Sequence, residues 1–231
     1  MKKYLVLAMS CIIGLCIGSL STNAQVKETR NVEGFTKINV SGGIDLFIEQ
    51  GEATHVVAEA KTQELLDQIV TEVEGNTLKI YNRNKIWSCG MRNVHVTLKT
   101  IESIHASGGS DATSQGGIKS SELEIGASGG SDINMIINAE ELRCNISGGS
   151  DASLKGEAHK FKAVASGGSD LKAKEFIVDI CDLTASGGSD AYITVNEELS
   201  ANANGGSDIT YYGEAKIRNI SSNGGSDVNK R

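Results

Sequence analysis

Seven aspartates stand at near-constant spacing in this chain of 231 residues, and they are the first groups to examine for chemistry. Asp111, Asp132, Asp151, Asp170 and Asp190 each close a Ser-Gly-Gly-Ser-Asp motif, and Asp208 and Asp227 close the variant Asn-Gly-Gly-Ser-Asp. The steps between successive aspartates are 21, 19, 19, 20, 18 and 19 residues. Carboxylate, hydroxyl and carbonyl oxygens gathered in this way are hard donors of the kind that bind Ca²⁺. The same groups also cap tight turns, where each Asp at the exit of the corner accepts from backbone N–H groups of the glycine turn, with Ser hydroxyls beside it. Residue types alone leave both readings open. General acid–base chemistry is not indicated, because it needs two groups in distinct environments and these carboxylates repeat uniformly. His55, His95, His105 and His159 form no spaced cluster either.

A fixed period near 20 residues is the pattern of a solenoid, in which each repeat is one coil stacked on the last. Counting from each motif Asp, the position seven before it holds Ile104, Ile125, Cys144, Ala163, Leu183, Ala201 and Ile220. The position after it holds Ala112, Ile133, Ala152, Leu171, Ala191, Ile209 and Val228, followed by the polar Thr113, Asn134, Ser153, Lys172, Tyr192, Thr210 and Asn229. This period-two alternation predicts strands with one face inward on either side of a Gly-Gly corner. A shorter third side, as at Lys155-Gly156-Glu157, is expected to close each coil. If the residue after Asp points in, Asp points out, and seven carboxylates stack in one ladder. Like charges opposite one another in adjacent strands destabilise, so a turn cap or a cation must offset them. The fold class is therefore all-β, a parallel β-solenoid with coils of about 19 residues.

Residues 25–100 are less regular and are read as capping strands, continuous with the repeats of 101–231 in one domain. Residues 26–33 are a polar lead-in. Strands are predicted around Ile38-Val40, Ile44-Ile48, Val56-Ala60, Val70-Val73, Leu78-Tyr81 and Val94-Leu98, with Thr62 capping a short helical turn. Ser41-Gly42-Gly43-Ile44-Asp45 is an early, imperfect version of the motif. The loop of residues 82–93, with Trp87, is the one place where an aromatic and basic side chains gather. Tyr81, Arg83, Trp87 and Arg92 are the candidate ligand contacts there, the alternative being a loop packed on the first coil.

Residues 1–24 read as a secretory leader. Lys2-Lys3 precede an apolar run from Tyr4 to Leu20, and Thr22 and Ala24 suit cleavage before Gln25. An uncleaved anchor helix is the alternative, and neither Cys11 nor Cys16 has a lipobox around it. Export would place the protein in the periplasm, the outer membrane or at the cell surface. Removing Lys2 and Lys3 takes the 22 basic residues to 20 against 29 acidic ones, a net charge of −9. That excess argues against nucleic acid as a partner. Cys89, Cys144 and Cys181 are an odd count at irregular spacing, not a disulfide framework. Cys144 and Cys181 fall on inward positions, whereas Cys89 lies in the expected loop. The chain stops four residues after Asp227 with no closing segment, so the last coil is expected to be open and to offer a route to a homo-oligomer.

Gly34-Phe35, Ile38-x-Val40, Gly43-Ile44-Asp45-Leu46-x-Ile48, Glu74-Gly75-Asn76-x-Leu78-x-Ile80 and Val94-x-Val96-x-Leu98, followed by the Ser-Gly-Gly-Ser-Asp repeats, resemble the putative auto-transporter adhesin, head GIN domain family across residues 30–227. The resemblance implies a right-handed parallel β-helix in a secreted or cell-envelope protein of bacterial type. It carries over no catalytic residues. A proline found in that family near the position of Lys99 is absent here, so the strand entering the first repeat is expected to differ in shape.

Three functions fit these observations. The first is a non-catalytic envelope or surface module that binds an envelope glycan or protein, without a cofactor unless Ca²⁺ occupies the Asp ladder. The second is an enzyme acting on polysaccharide, a role that other β-helices fill. The third is a structural envelope protein whose ladder serves stability alone.

Overall fold

Alternating residues build this structure strand by strand. The structure, a computed structural model, describes residues 25–84 and 90–231. The expected leader, Trp87 and Cys89 lie outside the described residues. In chain order the strands are β1 (Val26–Thr29), β2 (Lys37–Ser41), β3 (Asp45–Gln50), β4 (His55–Ala60), β5 (Ile69–Glu74), β6 (Thr77–Asn82), β7 (Arg92–Leu98) and β8 (Ser103–Ser107). The long rungs follow: β9 (Ala112–Ser128), β10 (Ile133–Ser147), β11 (Ala152–Ser166), β12 (Leu171–Gly187) and β13 (Ala191–Gly205). Last come β14 (Asp208–Tyr212), β15 (Lys216–Asn223) and β16 (Asp227–Lys230). One helical turn, α1 (Gln63–Leu66), interrupts them, and the Thr62 hydroxyl accepts the Leu65 N–H as its N-cap.

The repeats form a parallel β-solenoid. Ile133 of β10 pairs with Ala152 of β11, nineteen residues on. Ile104, Ile125, Cys144, Ala163, Leu183, Ala201 and Ile220 lie side by side in one row across the coils. All but Ile220 are buried. The row after the motif, Ala112 to Val228, is equally continuous. Each buried Leu or Ile in such a row contributes about 1.5–3 kcal/mol. The third side of the coil is not a break. β9 to β13 run unbroken for 15 to 17 residues, bending where the register shifts. Gly156 makes one such bend possible: its φ is +109°, and a Cβ there would fall 2.1 Å from the Ile137 carbonyl oxygen.

The N-terminal segment is stacked out of sequence order. β2 lies between β6 and β8, and β3 lies between β7 and β9, all parallel. The coil of residues 37–50 is therefore the second in space, with β6 and β7 on one side and residues 103–115 on the other. Antiparallel strands finish that end: β5 pairs with β6, and β4 pairs with β7 and carries β1 outside it. The polar segment expected to be a lead-in is thus partly a strand, held because Lys27 to Thr29 register with Glu59 to Val57. At the other end, Ile217 and Ile220 take the places of the buried Leu199 and Ala201 but are 39% and 40% exposed.

Candidate functional site

The Gly-Gly corner sets the direction of every motif side chain. Gly129 and Gly130 have φ of +68° and +75°, a left-handed pair that L side chains avoid. A Cβ on Gly129 would sit 3.3 Å from the Gly108 nitrogen of the coil before it, so the corners stack backbone on backbone. Leaving that corner, the chain resumes its alternation: Ser131 in, Asp132 out, Ile133 in.

The second motif serine is part of the core. Ser110, Ser131, Ser150, Ser169, Ser189 and Ser207 are fully buried. The hydroxyls of Ser110, Ser131, Ser150 and Ser189 bridge coils. Ser131 Oγ accepts the Ser110 N–H at 3.1 Å, and Ser150 Oγ accepts the Ser131 N–H at 3.1 Å. The Ser169 and Ser189 hydroxyls donate to the Ser166 and Ser186 carbonyls of their own corners, each at 2.9 Å. At the first motif, Ser110 Oγ accepts from both Gly43 and Ile44 at 3.0 Å. Ile44 occupies the serine position of the imperfect early motif and is itself buried.

The aspartates form the outward ladder, and five of the seven carboxylates reach to the next coil. Oδ1 of Asp111, Asp132 and Asp151 accepts the N–H of Asp132, Asp151 and Asp170 at 3.0, 3.1 and 3.1 Å. Asp190 and Asp208 do the same for Asp208 and Asp227 at 3.4 and 3.1 Å. The turn-cap expectation placed the donors in the glycine corner with serine hydroxyls alongside. The donor is instead the aspartate N–H one coil on, and the second serine points to the opposite side of the strand. A charge-assisted bond to a fixed N–H offsets part of the repulsion between stacked carboxylates. Lys172 offsets more of it: its Nζ lies 2.6 Å from Asp151 Oδ2, and this bond holds the ammonium pKa above its usual value. Asp45 starts the same column. Partial burial and the Asp111 charge raise its carboxyl pKa, while the Asp111 N–H and the Arg92 charge pull the other way. Among the described residues, no three His, Cys, Asp or Glu side chains converge as a metal-binding group.

The other candidate contacts spread over the N-terminal end. Tyr81 points outward from β6 and donates its hydroxyl to Glu72 at 2.8 Å. It lines a groove of about 300 Å³ with Asn39, Ser41 and His105. Arg83 lies in a different groove, beside Arg30 and Val70. Arg92 sits behind the first corner, where a Cβ on Gly43 would meet its Nη2 at 3.3 Å, and its Nε and Nη1 are buried without a hydrogen-bond partner among the described residues. Tyr81 and Arg83 therefore face different grooves, and Trp87 lies outside the described residues.

Sequence reasoning passed over a third surface. Lys155, Lys172, Lys174, Glu175 and Tyr192 line a groove of about 240 Å³ on the outer face of β11 to β13. Its signal was a pair of unequal steps, 20 residues from Asp170 to Asp190 and then 18 to Asp208.

Solved structures share this architecture. A putative adhesin from Bacteroides fragilis superposes with a TM-score of 0.85 at 19% identity, covering 90% of this chain and 97% of its own. A putative lipid binding protein from Parabacteroides distasonis gives 0.72 at 18% identity, covering 91% and 98%. A putative adhesin from Parabacteroides merdae gives 0.68 at 18% identity, covering 91% and 97%. At these identities the likeness is one of fold. No curated protein matches the chain. The sequence pattern of one family matches residues 34–215, from the residue before Phe35 in the cap through the coil of Tyr211. The chain belongs to that family, described as Putative auto-transporter adhesin, head GIN domain.

Proposed function

We propose that this chain is an exported, non-catalytic, adhesin-like binding module of the cell envelope or surface. One observation carries the reading: the polar atoms of the repeated motif are engaged in joining one coil to the next. The second motif serines are buried, with Ser110, Ser131, Ser150 and Ser189 in inter-coil bonds, and Oδ1 of five of the seven aspartates holds a backbone N–H of the next coil. The motif thus builds a long scaffold, and the outer faces of the rungs are left to meet a partner. Membership of an adhesin-described family supports the same reading, as does the secretory pattern of residues 1–24. The partner class is an envelope glycan or protein.

The test is fractionation of cells producing the full chain, followed by sequencing of the mature N-terminus and a binding assay against isolated envelopes. The expected result is a product beginning at Gln25 in the envelope or medium that binds envelopes saturably. A cytoplasmic, uncleaved product without envelope binding overturns the proposal, as does turnover of a polysaccharide by the purified protein.

A further inference from the structure

The 20-residue and 18-residue steps are adjacent, and the structure gives them a physical form. In β12, Ala173 pairs with Ile193 and Ile177 pairs with Thr194, so residues 174–176 bulge out against the shorter β13. Bulges re-aim side chains and are enriched beside functional sites. This one is anchored: Phe176 is fully buried, its ring edge-on to Phe161 at 5.4 Å. The bulge carries Lys174 past the next coil, where its carbonyl accepts the Thr194 hydroxyl at 2.8 Å. Its Nζ stands 4.8 Å from the centre of the Tyr212 ring. Tyr192 lines the same groove as Lys174 and Glu175 of the bulge, 38% exposed and in register between Lys172 and Thr210.

We propose that this groove binds a neutral glycan, with a sugar ring stacked on Tyr192. Three observations specify the ligand class. A part-exposed tyrosine lining a groove offers an aromatic surface that suits the C–H face of a pyranose. Lys155 is paired with Glu175 at 3.0 Å, so a donor and an acceptor line the groove side by side, the arrangement that vicinal hydroxyls require, and Lys172, held by Asp151 at 2.6 Å, adds a second donor. Lys174, the remaining ammonium, is covered by an aromatic ring. A polyanionic glycan is disfavoured, because the Asp ladder runs alongside and the chain carries a net charge of −7. This inference rests on the binding-module reading and names the ligand class of one face.

Isothermal titration of the whole mature protein with cellohexaose, laminarihexaose, mannohexaose and hexagalacturonate tests it. At least one neutral hexasaccharide is expected to bind, with Tyr192→Ala weakening it about tenfold or more and Tyr192→Phe retaining it within about threefold. Lys172→Ala provides a second variant and is expected to lose at least about fivefold by removing a donor. The affinity should be unchanged between low and high salt, as for an uncharged ligand. No neutral binding at millimolar sugar, tighter binding of hexagalacturonate, or full binding by a folded Tyr192→Ala protein each overturns the proposal. Envelope binding that survives Tyr192→Ala removes this groove while leaving the proposed function standing. Absence of envelope binding by the unmodified protein removes the function itself.

Discussion

The carboxylate of Asp132 accepts the backbone N–H of Asp151 at 3.1 Å, although the two side chains carry the same charge in the same column. The bond and the repulsion act through different properties of one group, and they can be separated. Asp132→Asn keeps an acceptor oxygen and removes a charge, so it is expected to leave stability within about 0.5 kcal/mol or raise it. Asp132→Ala removes the acceptor as well and is expected to cost about 1 kcal/mol. Urea unfolding of the two variants checks this; equal losses would mean that the bond contributes nothing.

The same geometry bears on Ca²⁺. Oδ1 of each ladder carboxylate that binds the next coil is already engaged, and each coil adds a single carboxylate to the column. A Ca²⁺ site needs 6–8 oxygens, usually with several carboxylates. The midpoint of thermal unfolding is therefore expected to agree within about 1 °C in chelator and in millimolar Ca²⁺, since only a ligand that binds the folded state shifts it. A rise of several degrees would make the ladder a cation site.

Two glycines separate backbone strain from steric collision. Gly149 has φ +77° with open space around its would-be Cβ, whereas Gly156 has φ +109° and a carbonyl oxygen 2.1 Å away. Gly149→Ala is expected to cost about 1–2 kcal/mol, from backbone conformation alone. Gly156→Ala should cost well over about 3 kcal/mol or prevent folding, because the neighbouring rung must shift. Soluble yield and unfolding midpoints of the pair provide the comparison.

The buried thiols give a pH dependence of known sign. Burial pushes the Cys144 thiol pKa up to about 12 and that of Cys181 higher still. An unfolded thiol ionises near pH 8.5, so above that pH the unfolded chain releases protons that the folded chain retains. The stabilising difference is fully present below pH ~8.5 and falls by about 1.4 kcal/mol per pH unit per thiol as pH rises beyond it. Unfolding midpoints measured from pH 8 to 10 should decline accordingly. Cys144 and Cys181 should resist alkylation until the protein is unfolded.

The solenoid was legible because its pattern is local and repeated. Ile133, Ile125 and their equivalents alternate with polar neighbours, and a near-constant period fixes which of them stack. The inward serine was legible in principle. Alternation taken one step back from Ala112 and Asp111 places Ser110 inside, yet a small polar residue in a glycine corner reads as exposed. The order of the first coils was not legible, because the pairing of β3 with β7 on one side and β9 on the other depends on contacts between segments some 48 and 66 residues apart (Leu46 to Val94 and to Ala112). The groove at Tyr192 was visible only as a two-residue difference between coil lengths, whose meaning depends on Phe176 turning inward. Tyr81, Arg83 and Arg92 are close in sequence, but strand direction sends them to different surroundings.

The interleaved first coils also impose an order on assembly. Residues 37–50 bury both edges only after β6 and β7 have closed beneath them and residues 103–115 above, so about half of the chain must be present before any regular rung has a template. Such a start is a slow nucleus of long-range contacts. Each later rung then adds nineteen or so residues to a surface already formed, in the manner of elongation from a seed. Lesions in the interleaved cap should therefore abolish folding outright, whereas lesions in the last coils should shorten the ordered stack and leave the rest standing.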